Sequence, residues 1–195
     1  MTHKFSKIEN PIVGISVYYG ALDCGRFISQ LEDSCRDPND PLVWNDAYTG
    51  HGVVTDYRSS VNCDLDIVLA PTSQHPLAAD LKSTIKEKID LCAEDYSMQY
   101  RIPINRHEPY QVLKYTEGAN YRAHFDYCTE SPRYFSIVGV MRAPDEGGDL
   151  EFPYFDYTFK MVEGSVIVFP ASPPYTHIAH PVTKGLKYSL VTWYL

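Results

Sequence analysis

Short runs of β-branched and aromatic residues fill the second half of the sequence, and this pattern most restricts the possible folds. From about residue 103 onward the runs recur at intervals of roughly 8–14 residues, with Gly, Pro and Asp between them. Short strands separated by turn residues at this spacing are typical of an antiparallel sandwich or jelly roll. The predicted strands are 110–115, 121–127, 134–142, 149–154, 158–161, 165–169, 175–182 and 186–193.

The first half of the sequence has a different pattern and predicts a helical support. A strand is predicted over residues 11–19 and a helix over residues 21–36. The clearest helix runs from residue 76 to about residue 100, because apolar residues there recur at helical spacing on one face. These residues are Leu77, Leu81, Ile85, Ile89 and Cys92.

The two halves together predict one domain. No linker, repeat or low-complexity segment separates them, and 195 residues suit a single hydrophobic core. We therefore expect a single domain over 1–195, in which residues 1–107 support a core formed by residues 108–195. The predicted fold class is α+β, mainly β: a double-stranded β-helix (jelly-roll) core with supporting N-terminal helices.

Charge and cysteine content limit the partners and the compartment. The 17 Lys and Arg residues are outnumbered by 25 Asp and Glu, and this disfavours a nucleic-acid partner. Five cysteines without CxxC spacing suggest free thiols in a reducing compartment. Residues 1–10 lack the apolar stretch of a secretory signal, and no run of 18 apolar residues suggests a membrane span. We expect a soluble, cytoplasmic protein with no membrane partner.

A His-x-Asp tripeptide, His124-Phe125-Asp126, lies in a predicted strand of the second half. Alternation along a strand places residues i and i+2 on one face, so both side chains could approach one point. His177, in a later predicted strand, could supply a third ligand. Two histidines and one carboxylate with open positions opposite them are typical of non-haem Fe(II) oxygenases. The tripeptide is common, however, and by itself leaves a structural role open.

The motifs around this tripeptide occur in a recognisable order. The series resembles the 2-oxoglutarate and Fe(II)-dependent dioxygenase superfamily, in particular its prolyl 4-hydroxylase-like branch. Asp149, Val166 and Tyr188 depart from the usual residues of that branch, whereas Arg58-Ser59-Ser60 resembles an element of its N-terminal half. The matching segments are 115–126 (YTEGANYRAHFD), 147–153 (GGDLEFP), 164–169 (GSVIVF), 177–182 (HIAHPV) and 184–188 (KGLKY), followed by Trp193.

The resemblance implies a role for each matching residue. It implies that His124, Asp126 and His177 bind Fe(II), and that the cosubstrate is 2-oxoglutarate. Lys187, expected on a strand next to that of His177, would pair with the distal carboxylate of the cosubstrate, and Tyr115 would donate a hydrogen bond to it. The nearby His180 is expected on the opposite strand face. Ascorbate is a further expected cofactor.

We therefore expect a dioxygenase that hydroxylates a C–H bond, with succinate and carbon dioxide as co-products. The expected substrate is a prolyl residue in a peptide or protein, because tyrosine-rich walls suit extended proline-containing segments. Arg58 is a candidate substrate contact, with a solvated surface position as its alternative. The alternative functions are hydroxylation of a free amino acid or other small molecule, and a non-catalytic metal-binding jelly-roll module.

Overall fold

The computed structural model describes residues 5–48 and 56–195. Its helices are α1 (Gly25–Ser34), α2 (Asp66–Leu69), α3 (Ala78–Asp80) and α4 (Glu87–Tyr100), with a π-helical segment, Leu81–Lys86, between α3 and α4. Its strands are β1 (Lys7–Ile12), β2 (Ile15–Tyr19), β3 (Asn45–Asp46), β4 (Val61–Asp64), β5 (Gln111–Tyr115), β6 (Tyr121–His124), β7 (Phe135–Arg142), β8 (Glu146–Gly147), β9 (Leu150–Phe152), β10 (Tyr157–Phe159), β11 (Val166–Pro170), β12 (His177–Ala179), β13 (Val182–Lys184) and β14 (Lys187–Tyr194).

The strands form two main antiparallel sheets. The larger sheet has eight strands in the order β1-β2-β11-β7-β14-β5-β4-β3, and the smaller has four in the order β10-β9-β12-β6. A short pair, β13-β8, lies apart from both sheets. The central neighbours, β11-β7-β14 in the larger sheet and β9-β12-β6 in the smaller, are not consecutive in sequence, as in a jelly roll. The predicted fold class, a mainly β jelly-roll core with supporting N-terminal helices, is confirmed.

The helices pack on one face of the larger sheet. Ile89 and Tyr96 of α4 are fully buried in a cluster that also contains Phe135 and Leu190 from the sheet. Tyr96 packs against Phe135 with its ring tilted and donates a hydrogen bond to the carbonyl of Gly14, at 2.7 Å. The predicted apolar helix face is thus the face that covers the sheet. No helix among the described residues has the length and apolar character needed to cross a membrane.

A second apolar cluster fills the space between the two sheets. Ile167 and Phe169 reach it from the larger sheet, and Phe152 and Phe159 reach it from the smaller sheet. These four side chains are almost completely buried. The candidate site described below opens beside this cluster. The strands that form the walls of the site are therefore held in place by pairing within the sheets and by apolar packing.

Two predicted strands are divided in the structure. The predicted strand 11–19 is a hairpin, because Gly14 takes the left-handed region at φ +84° and Ile12 pairs with Ile15 across the turn. The predicted strand 175–182 stops at Ala179, and β13 begins at Val182 and pairs with β8 instead. Pro181 lies between the two pieces, and proline cannot donate to a strand ladder.

The helix predicted from residue 76 to residue 100 is continuous in direction but not in hydrogen bonding. Its middle, Leu81–Lys86, is π-helical, and the helix ends at Arg101, which takes the left-handed conformation at φ 54°. Apolar spacing identified the buried face because Leu81, Ile85 and Ile89 are all inaccessible to solvent. The spacing of the apolar residues does not reveal that the hydrogen bonds of residues Leu81–Lys86 are π-helical.

We predict that Ile89→Ala lowers the free energy of unfolding by about 2–5 kcal/mol, because it opens a cavity in the packed cluster beneath the sheet. Met98→Ala is the matched control: Met98 lies on the same helix but is 73% exposed, so its loss should change stability by less than about 0.5 kcal/mol. Denaturant unfolding of both variants measures the difference. Equal destabilisation would show that the helix is not anchored through this face.

Candidate active site

Two histidines and an aspartate meet at the edge of the smaller sheet. His124 ends β6, His177 begins β12, and the two residues are direct partners in the antiparallel pair. Nε2 of His124 lies 3.6 Å from Oδ1 of Asp126, and Nε2 of His177 lies 3.7 Å from Oδ2. One ligand atom from each of the three residues lies within 4.8 Å of the others, which is close enough to hold a metal ion.

Main-chain carbonyls orient both imidazoles. Nδ1 of His124 lies 2.7 Å from the carbonyl of Arg122, and Nδ1 of His177 lies 3.1 Å from the carbonyl of Tyr175. A carbonyl can only accept, so each Nδ1 carries a proton and each Nε2 is the nitrogen directed toward the other members of the triad. This is the tautomer that a metal ligand needs.

Asp126 does not lie in a strand, contrary to the expectation that alternation within one strand would align it with His124. Strand β6 ends at His124, and Asp126 belongs to the loop that follows. That loop is docked on the larger sheet: the amide of Asp126 donates to the carbonyl of Ala171 at 3.0 Å. Ser136 of β7 donates a hydrogen bond to Oδ2 of Asp126 at 2.6 Å. The triad therefore joins the two sheets.

The protonation states in the triad suit a divalent cation. Burial, followed by the neighbouring His177, lowers the pKa of His124 to about 3, so its imidazole is neutral. Burial alone would raise the pKa of Asp126, but the two imidazoles, His177 first, and the hydrogen bond from Ser136 lower it overall. A carboxylate with a neutral imidazole beside it is the form in which such groups bind metal.

Lys187 is a cation buried between the sheets. Its side chain is 2% exposed, and Nζ donates to the carbonyl of Gly148 at 2.8 Å. Burial lowers its pKa to about 7, against a smaller opposing effect of Asp149. Among the described residues, none places a carboxylate within ion-pair distance of Nζ. A buried ammonium in this state favours an anionic ligand.

The strand that carries Lys187 differs from the expected one. Lys187 begins β14 in the larger sheet, whereas His177 lies on β12 in the smaller sheet, so the two strands are not neighbours. Lys187 instead pairs directly with Tyr115 of β5, and Nζ lies 4.2 Å from the centre of the Tyr115 ring. Burial raises the pKa of Tyr115, so its hydroxyl keeps its proton and can donate.

Arg58 is buried beside the triad, so the alternative of a solvated surface arginine is wrong. Its Nη1 donates to the carbonyl of Tyr48 at 2.5 Å, and its guanidinium lies 4.8 Å from the centre of the Tyr121 ring. Tyr121 in turn stacks on His124, with ring centroids 3.5 Å apart. Arg58 thus contacts the aromatic ring that supports one candidate ligand.

One cavity of about 1070 Å³ joins these residues: the triad, Lys187, Tyr115 and Arg58 all line it. Aromatic side chains that also line it and are exposed to solvent are Tyr48, Phe125 and Tyr127. His180, by contrast, lies beyond the end of β12, binds Glu151 at 2.6 Å and does not line the cavity.

Residues that support Asp126 were not singled out from the sequence. Ser136 is one. Arg133 is another: its Nη1 donates to the carbonyl of Asp126 at 3.0 Å, and its guanidinium lies 3.8 Å from the centre of the Trp193 ring. Glu108 holds Arg133 through both carboxylate oxygens, at 2.6 and 2.8 Å. In the sequence, Trp193 appears only as the last residue of the motif series. No local pattern marks Ser136, Arg133 or Glu108.

Comparison with known proteins finds the same resemblance. Residues 110–195 match the model of the 2OG-Fe(II) oxygenase superfamily. A putative prolyl 4-hydroxylase of Acanthamoeba polyphaga mimivirus is 24% identical over 121 residues, which are 52% of this chain and 50% of the viral protein. The chain thus matches about half the length of that curated relative.

Two solved structures share the fold over most of the chain. A viral collagen prolyl hydroxylase from Paramecium Bursaria Chlorella virus-1, in a 2OG complex, has a TM-score of 0.64 and 19% identity over 93% of this chain and 95% of that one. A Pseudomonas putida prolyl-4-hydroxylase has a TM-score of 0.68 and 20% identity over 93% and 92%. Residues 110–195 thus resemble the 2OG-Fe(II) oxygenase superfamily, and the chain shares the jelly-roll fold of these two prolyl hydroxylases.

Proposed function

We propose that the protein is an Fe(II)- and 2-oxoglutarate-dependent dioxygenase that hydroxylates a prolyl residue in a peptide or protein. The observation that carries this proposal is a single cavity that holds both a His-Asp-His triad and a buried lysine that pairs with no carboxylate of the described residues. The triad suits the metal, and the lysine suits an anionic cosubstrate. The names of the similar proteins, all prolyl hydroxylases, support the choice of substrate.

The chemistry of the donor set fits Fe(II). His124, Asp126 and His177 would hold the metal through two neutral nitrogens and one carboxylate, the set found in non-haem Fe(II) oxygenases. When bound, Fe(II) and 2-oxoglutarate supply the oxidation: dioxygen cleaves the cosubstrate to succinate and carbon dioxide and delivers one oxygen atom to a substrate C–H bond. The protein supplies binding, orientation and exclusion of water.

The buried ends of β5 and β14 fit the distal carboxylate of 2-oxoglutarate. Lys187 would form an ion pair with it, and the protonated hydroxyl of Tyr115 would donate a hydrogen bond from the partner position on the adjacent strand. Gly148 is needed for this arrangement. Its φ is +71°, and an added Cβ would lie 3.3 Å from Cδ of Lys187. A side chain at position 148 would therefore crowd the lysine.

Apolar rings around the triad would keep water from the metal. Phe169 lies edge-on to His177 with ring centroids 4.8 Å apart, and Phe152 lies 5.8 Å from the same imidazole. Tyr121 covers one face of His124. Such a wall favours productive transfer of oxygen to the substrate over side reactions with water.

The outer part of the cavity suits an extended peptide. Tyr48, Phe125 and Tyr127 present exposed rings there, and aromatic rings bind polyproline II segments at low entropic cost. Arg58 is the proposed polar substrate contact, because it is buried at the cavity wall. A free amino acid or other small molecule is the second candidate substrate, since such a ligand would also fit the cavity volume.

The proposal includes the working environment and the domain organisation. We propose a cytoplasmic location, because the five cysteines are free thiols, and ascorbate as the reductant that maintains the metal. We also propose that residues 1–107 stabilise a catalytic core formed by residues 108–195. The packing of α4 on the larger sheet supports this division.

The direct experiment is succinate formation from 2-oxoglutarate in the presence of Fe(II), ascorbate and a panel of proline-containing peptides, with free proline and proline-free peptides as controls. Mass spectrometry identifies the product as a peptide that has gained one oxygen atom. Turnover with free proline only would select the small-molecule alternative. No turnover, with or without substrate, together with no metal-dependent binding of 2-oxoglutarate, would support the non-catalytic alternative.

We predict that His124→Ala reduces metal affinity by at least about 100-fold. Loss of a residue that only orients a metal ligand already lowers metal affinity by about 10–100-fold, and loss of a ligand itself should cost more. Succinate formation should fall to background at metal concentrations that saturate the unmodified protein. His180→Ala is the matched control, because His180 binds Glu151 outside the cavity. Equal losses in the two variants would contradict the proposed ligand set.

We predict that Lys187→Ala raises the KM for 2-oxoglutarate by about 30-fold or more, because loss of one partner of a buried ion pair costs about 2–5 kcal/mol. Metal affinity should change little. Lys160→Ala removes an exposed lysine that pairs with Asp149 outside the cavity and should leave the KM unchanged. Steady-state kinetics over a range of 2-oxoglutarate concentrations distinguishes them; an unchanged KM in Lys187→Ala would refute its role.

We predict that 2-oxoglutarate binds more weakly as pH rises above about 7. In the free protein the pKa of Lys187 is about 7, and a bound carboxylate raises it, so binding above pH 7 takes up a proton. The affinity should fall by up to about tenfold per pH unit there and level off below pH 7. Anaerobic calorimetry with Mn(II), in two buffers of different ionisation enthalpy, measures the proton uptake. A binding constant independent of pH between 7 and 9 would contradict the assigned contact.

A further inference from the structure

The three proposed metal ligands are held in two different ways. His124 and His177 are fixed by main-chain pairing, because they face each other across β6 and β12. Asp126 lies beyond the end of β6, so strand pairing does not fix it. Its main chain is held by Ala171 and Arg133. These contacts place its Cα, but they do not determine the rotation of its carboxylate.

Ser136 is the residue that restrains this carboxylate. Its Oγ donates a hydrogen bond to Oδ2 of Asp126 at 2.6 Å, and the serine is 1% exposed. Ser136 lies in β7, which is paired on both sides, with Phe169 of β11 and Trp193 of β14 as its direct partners. The hydroxyl therefore projects from one of the most constrained strands of the larger sheet.

This contact sets the direction in which Asp126 presents its oxygens. With Oδ2 bound by Ser136, Oδ1 faces Nε2 of His124 at 3.6 Å and Oδ2 faces Nε2 of His177 at 3.7 Å. Rotation of the carboxylate would break a short hydrogen bond in a buried site, where an unpaired polar group is costly. Both imidazoles thus face an acceptor that is already oriented before a cation enters.

We propose that Ser136 is a positioning residue of the metal site, which acts by holding the Asp126 carboxylate in its ligating orientation from the opposite sheet. This inference rests on the proposed function, since Ser136 acts through a proposed ligand. It adds a residue outside the motif series, at a position that connects the metal to the central strands of the larger sheet. Groups that orient a ligating side chain in this way contribute 10–100-fold to metal affinity.

The test is anaerobic titration of the metal-free protein with Co(II), followed by the visible absorption of the bound ion, without cosubstrate or substrate. Ser136→Ala should weaken Co(II) binding by about 10–100-fold. Ser136→Thr, which keeps a hydroxyl, should recover most of the affinity. Ser165→Ala is the matched control: Ser165 is equally buried, but its hydroxyl donates to the carbonyl of Val162 outside the cavity. Its Co(II) affinity should equal that of the unmodified protein.

Thermal unfolding of the metal-free variants separates ligand orientation from loss of fold. A melting temperature of Ser136→Ala close to that of Ser165→Ala, with weaker Co(II) binding only in the former, supports the proposal. If Ser136→Ala does not fold, Ser136→Cys provides the same comparison, because a thiol of similar size is a weak donor. Equal losses in Ser136→Thr and Ser136→Ala would indicate a packing role and overturn the inference.

His124→Ala distinguishes failure of this inference from failure of the proposed function. If the unmodified protein binds Co(II), His124→Ala does not, and Ser136→Ala binds like the unmodified protein, the metal site stands and the role of Ser136 is refuted. If the unmodified protein binds Co(II) no better than His124→Ala does, the proposed metal site itself is refuted, and the role of Ser136 with it.

Discussion

The hydrogen bond between Ser136 and Asp126 ties the loop that leaves the smaller sheet after β6 to the larger sheet, and the arrangement of the candidate site depends on it. A jelly roll packs its sheets through apolar side chains, which give no direction to a polar group between them. Here the smaller sheet supplies two paired histidines, and the larger sheet fixes the aspartate. The triad thus has a defined geometry only when the two sheets are packed against each other. Formation of the site therefore requires a folded core.

The helical layer contributes to this geometry from the far side of the larger sheet. Tyr96 of α4 packs against Phe135, the residue that precedes Ser136 in β7. Alternation along β7 sends Phe135 toward the helices and Ser136 toward the site. The same strand is therefore buried on both faces, by apolar packing on one and by a polar contact on the other. The strand that carries Ser136 thus depends on packing against a helix from the N-terminal half of the chain.

The sequence predicted the parts of the molecule that depend on local pattern or on ordered motifs. Turn residues between short apolar runs indicated the jelly roll, and the order of motifs pointed to the superfamily whose model matches residues 110–195. Ser136 and Glu108 could not be found in this way, because their roles come from the pairing register and the packing of separate strands. For the same reason the strand next to Lys187 was wrongly predicted: distance along the chain from His177 does not reveal that β14 lies in the other sheet. Asp126 was expected in a strand because the tripeptide alone does not show where β6 ends.

Lys187 shows how the fold and the proposed cosubstrate depend on each other. Its pKa of about 7 in the folded protein lies below the ordinary 10.5, so between these values the unfolded chain binds the extra proton. Stability of the ligand-free protein therefore rises with pH across this range, and the cost of the buried charge is fully present below about pH 7. A carboxylate paired with Lys187 offsets that cost. Because such a ligand binds only the folded state, it stabilises the fold by an amount that grows with the logarithm of the ratio of its concentration to its Kd. The lysine thus has a destabilising effect in the empty cavity, and the ligand that relieves it is the one the proposed reaction requires.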